Sequence, residues 1–324
     1  MLLVVAGLIT FFNAKSKVVK EARIASAEWF RENAADLQTQ IATLRLGAEK
    51  LTAQMQTQAN NVTATATTLQ GEMSAAANAV LNVSKASTAG EAAKEADPQA
   101  VQVVNEASQS LKSKPESDFT AADFFTRGLS YFTNQDFHAA LTAFDSAIEL
   151  SAADTSSERT AQYLFTKGVT LGKLDKPEDA IAAYEELDKR FGADTAPAVR
   201  EQVVKGLNGA GFNRILLAKQ MWQDAATRNE HLRVAAAGLQ RALAKCGEHD
   251  QAMILGNLGY SLFLAGQHLA AEQPTLECLK LGGRDTLGNQ RKDATLHRVE
   301  PEDSEYEVLL TRLWQSLLPK TVAS

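Results

Sequence analysis

The sequence predicts an all-α fold, a long N-terminal helix followed by a series of paired, packed helices. Three observations carry this. The 324 residues are 45% hydrophobic, with 6% aromatic residues and seven prolines, a mix that favours helix over strand. No sustained alternation of Val, Ile, Thr and aromatic residues calls for a sheet. And "FFTRGLSYF" (124–132) and "LFTKGVTLG" (164–172) repeat one pattern, each placing a Gly inside an amphipathic helix. Gly there costs about 1 kcal/mol relative to Ala, so its recurrence points to a close packing contact.

Residues 1–14 are expected to form a membrane anchor. The chain is apolar from Met1 to Phe12 and basic just after, at Lys15, Lys17, Lys20 and Arg23. A spanning helix needs about 20 apolar residues. The run is therefore part of a longer transmembrane helix, or a short anchor completed by tilt, bilayer thinning and snorkelling of Lys15 and Lys17. A cleaved signal normally carries positive charge ahead of its apolar region, and here only Met1 precedes it. An apolar helix end buried in a partner is the remaining reading. The basic cluster favours a cytoplasmic location for the rest of the chain, by the positive-inside rule.

Residues 15–84 read as a long helix or coiled-coil stalk. There is no Pro from Ser16 to Ser84 and Gly stands only at 47 and 71. Leu37, Ile41, Leu44, Ala48, Leu51, Met55 and Val62 follow a four-three spacing, with Gln58 filling one place; this is the period of a left-handed coiled-coil seam. The phase shifts near Leu69, and Met73, Ala76, Val80 and Val83 continue in a displaced frame, a stutter. The helix either serves as a stalk that dimerises, making the chain a homo-oligomer, or folds back on the C-terminal part. Asn61-Val-Thr and Asn82-Val-Ser match the glycosylation pattern, too short a motif to carry function. Residues 85–118, punctuated by Gly90, Pro98 and Pro115, read as a linker. Asp97-Pro98 suits the start of a short helix through Leu111, Asp as cap and Pro at the first position.

Residues 119–288 carry the repeat. Twelve, sixteen and nineteen residues after Gly128 stand Ala140, Phe144 and Ala147; after Gly168, Ala180, Tyr184 and Leu187; after Gly259, Ala271, Thr275 and Cys278. Phe124, Leu164 and Leu255 each precede their Gly by four. A large apolar residue, a Gly, then a small residue opening a second apolar helix resembles the tetratricopeptide repeat, a helix-turn-helix unit of about 34 residues. "NLGYSLFLAGQHLAAEQPTLECLKLGG", from Asn257, is the nearest match. The small residues permit close approach of two helices, and stacking buries a face that one unit cannot bury alone.

The resemblance implies an α-solenoid with a concave face lined by the first helices. Its register puts Phe125, Leu129 and Phe132, then Phe165 and Val169, then Tyr260 and Phe263 on that face, as peptide-binding positions suited to an amphipathic helix or hydrophobic peptide. The carboxylate clamp of some family members is disfavoured, since these places are apolar and Asn257 is the sole suggestive amide. The alternative is that these side chains pack against the chain's own helices. A unit between Thr195 and Gly247 lacks the offsets and has three Gly in its first helix. Pro274 is expected to kink or delay the second helix of the last unit. Residues 289–324 read as a loop, "LGGRDTLGNQRKDATLHRVEP" extending back to 281, and a capping helix from Glu302 to Leu318.

Chemistry is thin. Cys246 and Cys278 are too few for a disulfide framework and read as packed thiols. His249 and Asp250 beside Cys246 do not make a metal signature. No phosphate loop or catalytic motif appears, and no cofactor is expected. The net charge of -6 argues against nucleic acid as the main partner. The basic run Arg200, Lys205, Arg214, Lys219, Arg228, Arg233, Arg241 and Lys245 reads as a solvated face balanced by acidic neighbours rather than an anion or lipid-headgroup site. The sequence thus points to a non-enzymatic, membrane-anchored scaffold or adaptor binding a protein segment. The alternative is a structural or signalling coiled-coil protein whose repeats serve assembly.

Overall fold

The computed structural model describes residues 2–85, 98–151 and 157–318. Among them every regular element is helical, with eleven α-helices, two short 3₁₀ turns and no strand. The chain divides into two units, Met1–Gln70 and Gly71–Ser324.

The first unit is built from one helix, α1 (Leu2–Lys85), which continues into the second. Its composition explains its length, because Ala, Leu, Gln and Glu are good helix formers and nothing breaks them. Its many threonines are accommodated because hydroxyls such as those of Thr39, Thr43 and Thr52 donate to the carbonyl four residues back. The backbone of the expected anchor is helical and continuous with the rest of α1, while the side chains of residues 1–12 lie outside the described residues. Among the described residues no helix is long and apolar enough to cross a membrane. The apolar run of the expected anchor covers Met1 to Phe12, and its side chains lie among those not described.

The phase shift read near Leu69 coincides with the boundary between the units at Gln70. Before it, the seam residues of α1 are exposed; after it, Ala76 is 5% exposed and joins the core of the second unit. The side chains of Met73, Val80 and Val83 lie outside the described residues.

The second unit opens with α2 (Pro98–Ser110), the short helix expected at Asp97-Pro98; Asp97 itself lies outside the described residues. Its Ala100 and Val104 are buried in the core, and Ser130 Oγ donates to Asn105 Oδ1 at 3.1 Å, tying α2 to α3. Four hairpins come next: α3 (Ala121–Thr133) with α4 (Phe137–Ser151), α5 (Ser157–Lys173) with α6 (Pro177–Phe191), α7 (Pro197–Gln220) with α8 (Ala225–Lys245), and α9 (Glu248–Leu264) with α10 (His268–Thr295). Each packs against the next. The starts obey local rules. Thr120 and Asp123 form a reciprocal capping box on α3, Asp224 accepts from the amides of Ala226 and Thr227 on α8, and Pro177 and Pro197 stand at first helical positions.

The recurrent Gly marks where the two helices of a hairpin cross. A Cβ on Gly128 would fall inside the Phe144 ring, one on Gly168 inside the Tyr184 ring, and one on Gly259 against Thr275. In each case the partner stands sixteen residues on, the offset read in the sequence. Gly168→Val is expected to destabilise the unit by about 1–3 kcal/mol through overpacking. Gly172, in the same helix, has nothing within 4 Å of an added Cβ, so Gly172→Ala should be neutral or gain up to about 1 kcal/mol. Equal melting temperatures for the two variants would refute the close crossing.

The third hairpin keeps the same device at a different spacing. Gly211 meets Leu239, 28 residues on instead of sixteen. Four of the extra residues lengthen the first arm, by about 6 Å, and seven the second, by about 10 Å; one lies in the turn. Gly206 and Gly209 serve the other side of α7, against Leu187 and Tyr184 of α6. The unit is elongated rather than degenerate, and its three glycines face two neighbours.

That extension explains the C-terminal architecture. Ile215 and Ala218 of α7 and Leu232 and Ala235 of α8 enter a second core with α9, α10 and α11 (Glu302–Leu317). The loop expected over 281–301 is mostly helix, since α10 runs to Thr295. Its interruption lies at Gly283 (φ 63°, ψ −149°), a conformation open to Gly, and not at Pro274, which sits inside the helix. The capping helix forms where expected.

Candidate functional site

The seven positions assigned to a concave face fill the interior instead. Phe125 is 5% exposed, with its ring centroid 4.6 Å from Tyr163 and 5.6 Å from Phe144. Phe132 packs on Phe137 and Phe165 on Tyr184. Leu129 is fully buried, and Val169 is half-buried against the same core. Tyr260 and Phe263 pack on Tyr306 of α11, and Phe263 also stacks on His268. The register locates these residues correctly on one helical face. What it lacks is the identity of the covering groups, which come from the second helix of the same hairpin, from the next hairpin and from the capping helix. On the same helix as Phe125, α3, Tyr131 is 37% exposed.

The basic run of the third hairpin is largely engaged within the chain. Arg214 pairs with Glu185, Arg233 with Glu230, Arg241 with Asp188 and Lys205 with Glu201. Lys245 Nζ donates to Gly192 O at 2.9 Å, and Arg228 lies over the Trp222 ring. These pairings supply the acidic balance expected from the sequence, but the face is not solvated throughout, since Lys205 and Lys219 are buried. Both cysteines are free, Cys278 buried and Cys246 half-buried; burial pushes the Cys278 thiol up to about 12, away from nucleophile chemistry. The His249 side chain lies outside the described residues. Among the described residues no group of three or more His, Cys, Asp or Glu could hold a metal ion.

One polar cluster is fully buried. Lys219 near the end of α7 and Asp303 in the first turn of α11 are both 0% exposed and pair at 3.0 Å. Lys219 Nζ also donates to Tyr260 Oη (2.7 Å) and Ala294 O (3.1 Å), and Asp303 accepts from Tyr260 OH (2.6 Å) and the Val299 amide (2.7 Å). Tyr306 OH donates to Gln290 Oε1 at 2.8 Å. Burial lowers the Lys219 pKa against the opposing pull of Asp303, and burial pushes the Asp293 carboxyl up to about 7. With its hydrogen bonds satisfied and no opening to solvent at its centre, this cluster fastens α11 to α7 and α9. Sequence reasoning missed it. The one signal was a Lys on the otherwise apolar stretch "RILLAKQMW", with its partner 84 positions away.

The exposed apolar surface lies on α1. Leu37, Ile41, Leu44, Leu51, Met55 and Val62 are 56% to 73% exposed, all at seam positions. Phe30, 64% exposed, stands one heptad before Leu37 and lines a shallow trough with Val19, Arg23 and Ala27. No protein-family model matches the chain, and no curated protein sequence does. On the repeat unit the exposed large apolar residues, such as Leu150, Met221, Leu269 and Val308, are scattered, as on ordinary protein surfaces. On α1 most of them form a stripe, with Trp29 and Leu46 lying off it.

Proposed function

We propose that the protein is a non-enzymatic assembly scaffold of the tetratricopeptide-like, α-solenoid type, whose contact element is the seam of α1 and whose helical hairpins form the body it carries. One observation carries the reading. The apolar residues at repeat positions are buried by the chain itself, whereas those at seam positions of α1 are exposed. A long helix with an uncovered apolar stripe gains little from burial, and helices in water draw most of their stability from packing an amphipathic face. This favours the coiled-coil alternative over peptide capture in a concave groove.

The test is crosslinking in cells of the full chain carrying Leu44→Glu with Leu51→Glu, beside Leu269→Glu on the repeat unit. The reading expects the seam variant to lose the crosslinked assemblies that contain the chain, and the Leu269 variant, altered at a residue 89% exposed, to retain them. The reverse pattern would overturn it.

A further inference from the structure

We infer that the occupant of the α1 seam is a second copy of this chain, aligned parallel and in register as a two-stranded coiled coil over residues 30–62; this rests on the reading of α1 as the contact element. Three features of the seam argue for it.

The first is where charge is placed. In heptad terms Ala34, Ile41, Ala48, Met55 and Val62 stand at a, and Leu37, Leu44, Leu51 and Gln58 at d. From Phe30 to Val62 the a and d positions carry no charged residue, and the e and g positions carry two, Arg31 and Arg45. The Arg45 guanidinium turns away toward the outer face, pairing with Glu49 at 3.1 Å. Asp36, Glu49 and Lys50 occupy outer positions. A seam free of charge, with most of the charge kept outside it, is the pattern of a helix face that packs on another.

The second is area. Seven large seam side chains, Phe30 to Val62, are at least 56% exposed. At about 60–120 Å² of apolar surface each, two helices would bury about 800–1,700 Å² in total, which reaches the range of about 1,200–2,000 Å² for stable interfaces. Leu at d with Ile41 and Val62 among the a residues favours two strands.

The third fixes direction. In a parallel in-register pair Gln58 faces Gln58 of the second copy, and an amide carries both donor and acceptor, so each satisfies the other. The competing antiparallel register that keeps the apolar layers places Gln58 against Ala34 and brings Arg45 against its own counterpart. That leaves an amide unpaired and sets two like charges together. A single polar seam residue of this kind specifies register.

The experiment uses the purified full chain. Sedimentation equilibrium is expected to give twice 34.9 kDa, and Leu44→Glu with Leu51→Glu to give one chain mass. Because losing the partner can also melt α1, a second variant keeps the orientation testable. Leu37→Cys should oxidise to a dimer whose mapped disulfide joins residue 37 of one copy to residue 37 of the other. In the antiparallel register residue 37 lies about 27 Å from its counterpart and links instead to a Met55→Cys chain. A monomer at high micromolar concentration, or a 37-to-55 link, overturns the inference. If the chain is monomeric yet the seam variant still loses its assemblies in cells, the scaffold reading stands and the occupant is another protein.

Discussion

Asp303→Ala is expected to lower the stability of the repeat unit by about 3–5 kcal/mol, the range for breaking a buried ion pair from one side. Asp303 and Lys219 are both 0% exposed. Removing the carboxylate leaves an ammonium without its counter-charge in the interior, and deprives Tyr260 OH and the Val299 amide of their acceptor. The loss exceeds the worth of the pair itself, because most of it is the cost of the stranded charge. The double replacement Lys219→Met with Asp303→Leu is therefore expected to recover most of the stability. Urea unfolding of the three proteins checks this. A single-variant loss under about 1 kcal/mol, or no recovery in the double variant, would show that the cluster does not fasten the capping helix.

Phe125→Ala should be similarly damaging, at about 3–5 kcal/mol for a large aromatic side chain removed from a packed core. Its ring contacts Tyr163 across the hairpin boundary and Phe144 within its own hairpin, so truncation opens a cavity between two hairpins at once. Tyr131→Ala, at a residue 37% exposed, should cost much less, near the range of surface substitutions of about 0.5 kcal/mol. A peptide-binding role for Phe125 requires the opposite, that its replacement spare stability and abolish binding. Thermal melts of the two variants separate the cases. A Phe125→Ala protein as stable as the parent would restore that residue as a binding candidate.

Much of the fold was legible because helix signals are local. The absence of Pro over 16–84 and the spacing from Leu37 to Val62 foretold one long helix. The phase shift near Leu69 reads in the sequence as a stutter within one stalk through residue 84; that the units divide there, at Gln70, is known only from the contacts. The sixteen-residue interval from Gly to ring or hydroxyl located three hairpin crossings, since short hairpins fix how far along the second helix a residue opposite Gly128, Gly168 or Gly259 must stand. The fourth crossing, Gly211 to Leu239, escaped because its longer arms move the partner twelve residues further. The helix after Gly283 escaped because a glycine pair, a charged run and scattered apolar residues look like a loop until something packs on them.

Spacing along one or two helices was enough to establish the helical class, the length of α1, the hairpin pattern and the reason for its glycines. Which faces are used was settled by packing between helices. Phe125, Phe165, Tyr260 and Phe263 were plainly on an apolar face, but periodicity reports that a face is apolar without saying what covers it. Their covers, and the partner of Lys219, lie on other helices up to 84 positions away, and that distance is closed by packing alone. The seam of α1 is the complementary case. Its spacing was as clear as that of the hairpins, yet in the folded chain it is exposed, and the second copy inferred above would supply the packing that the first does not.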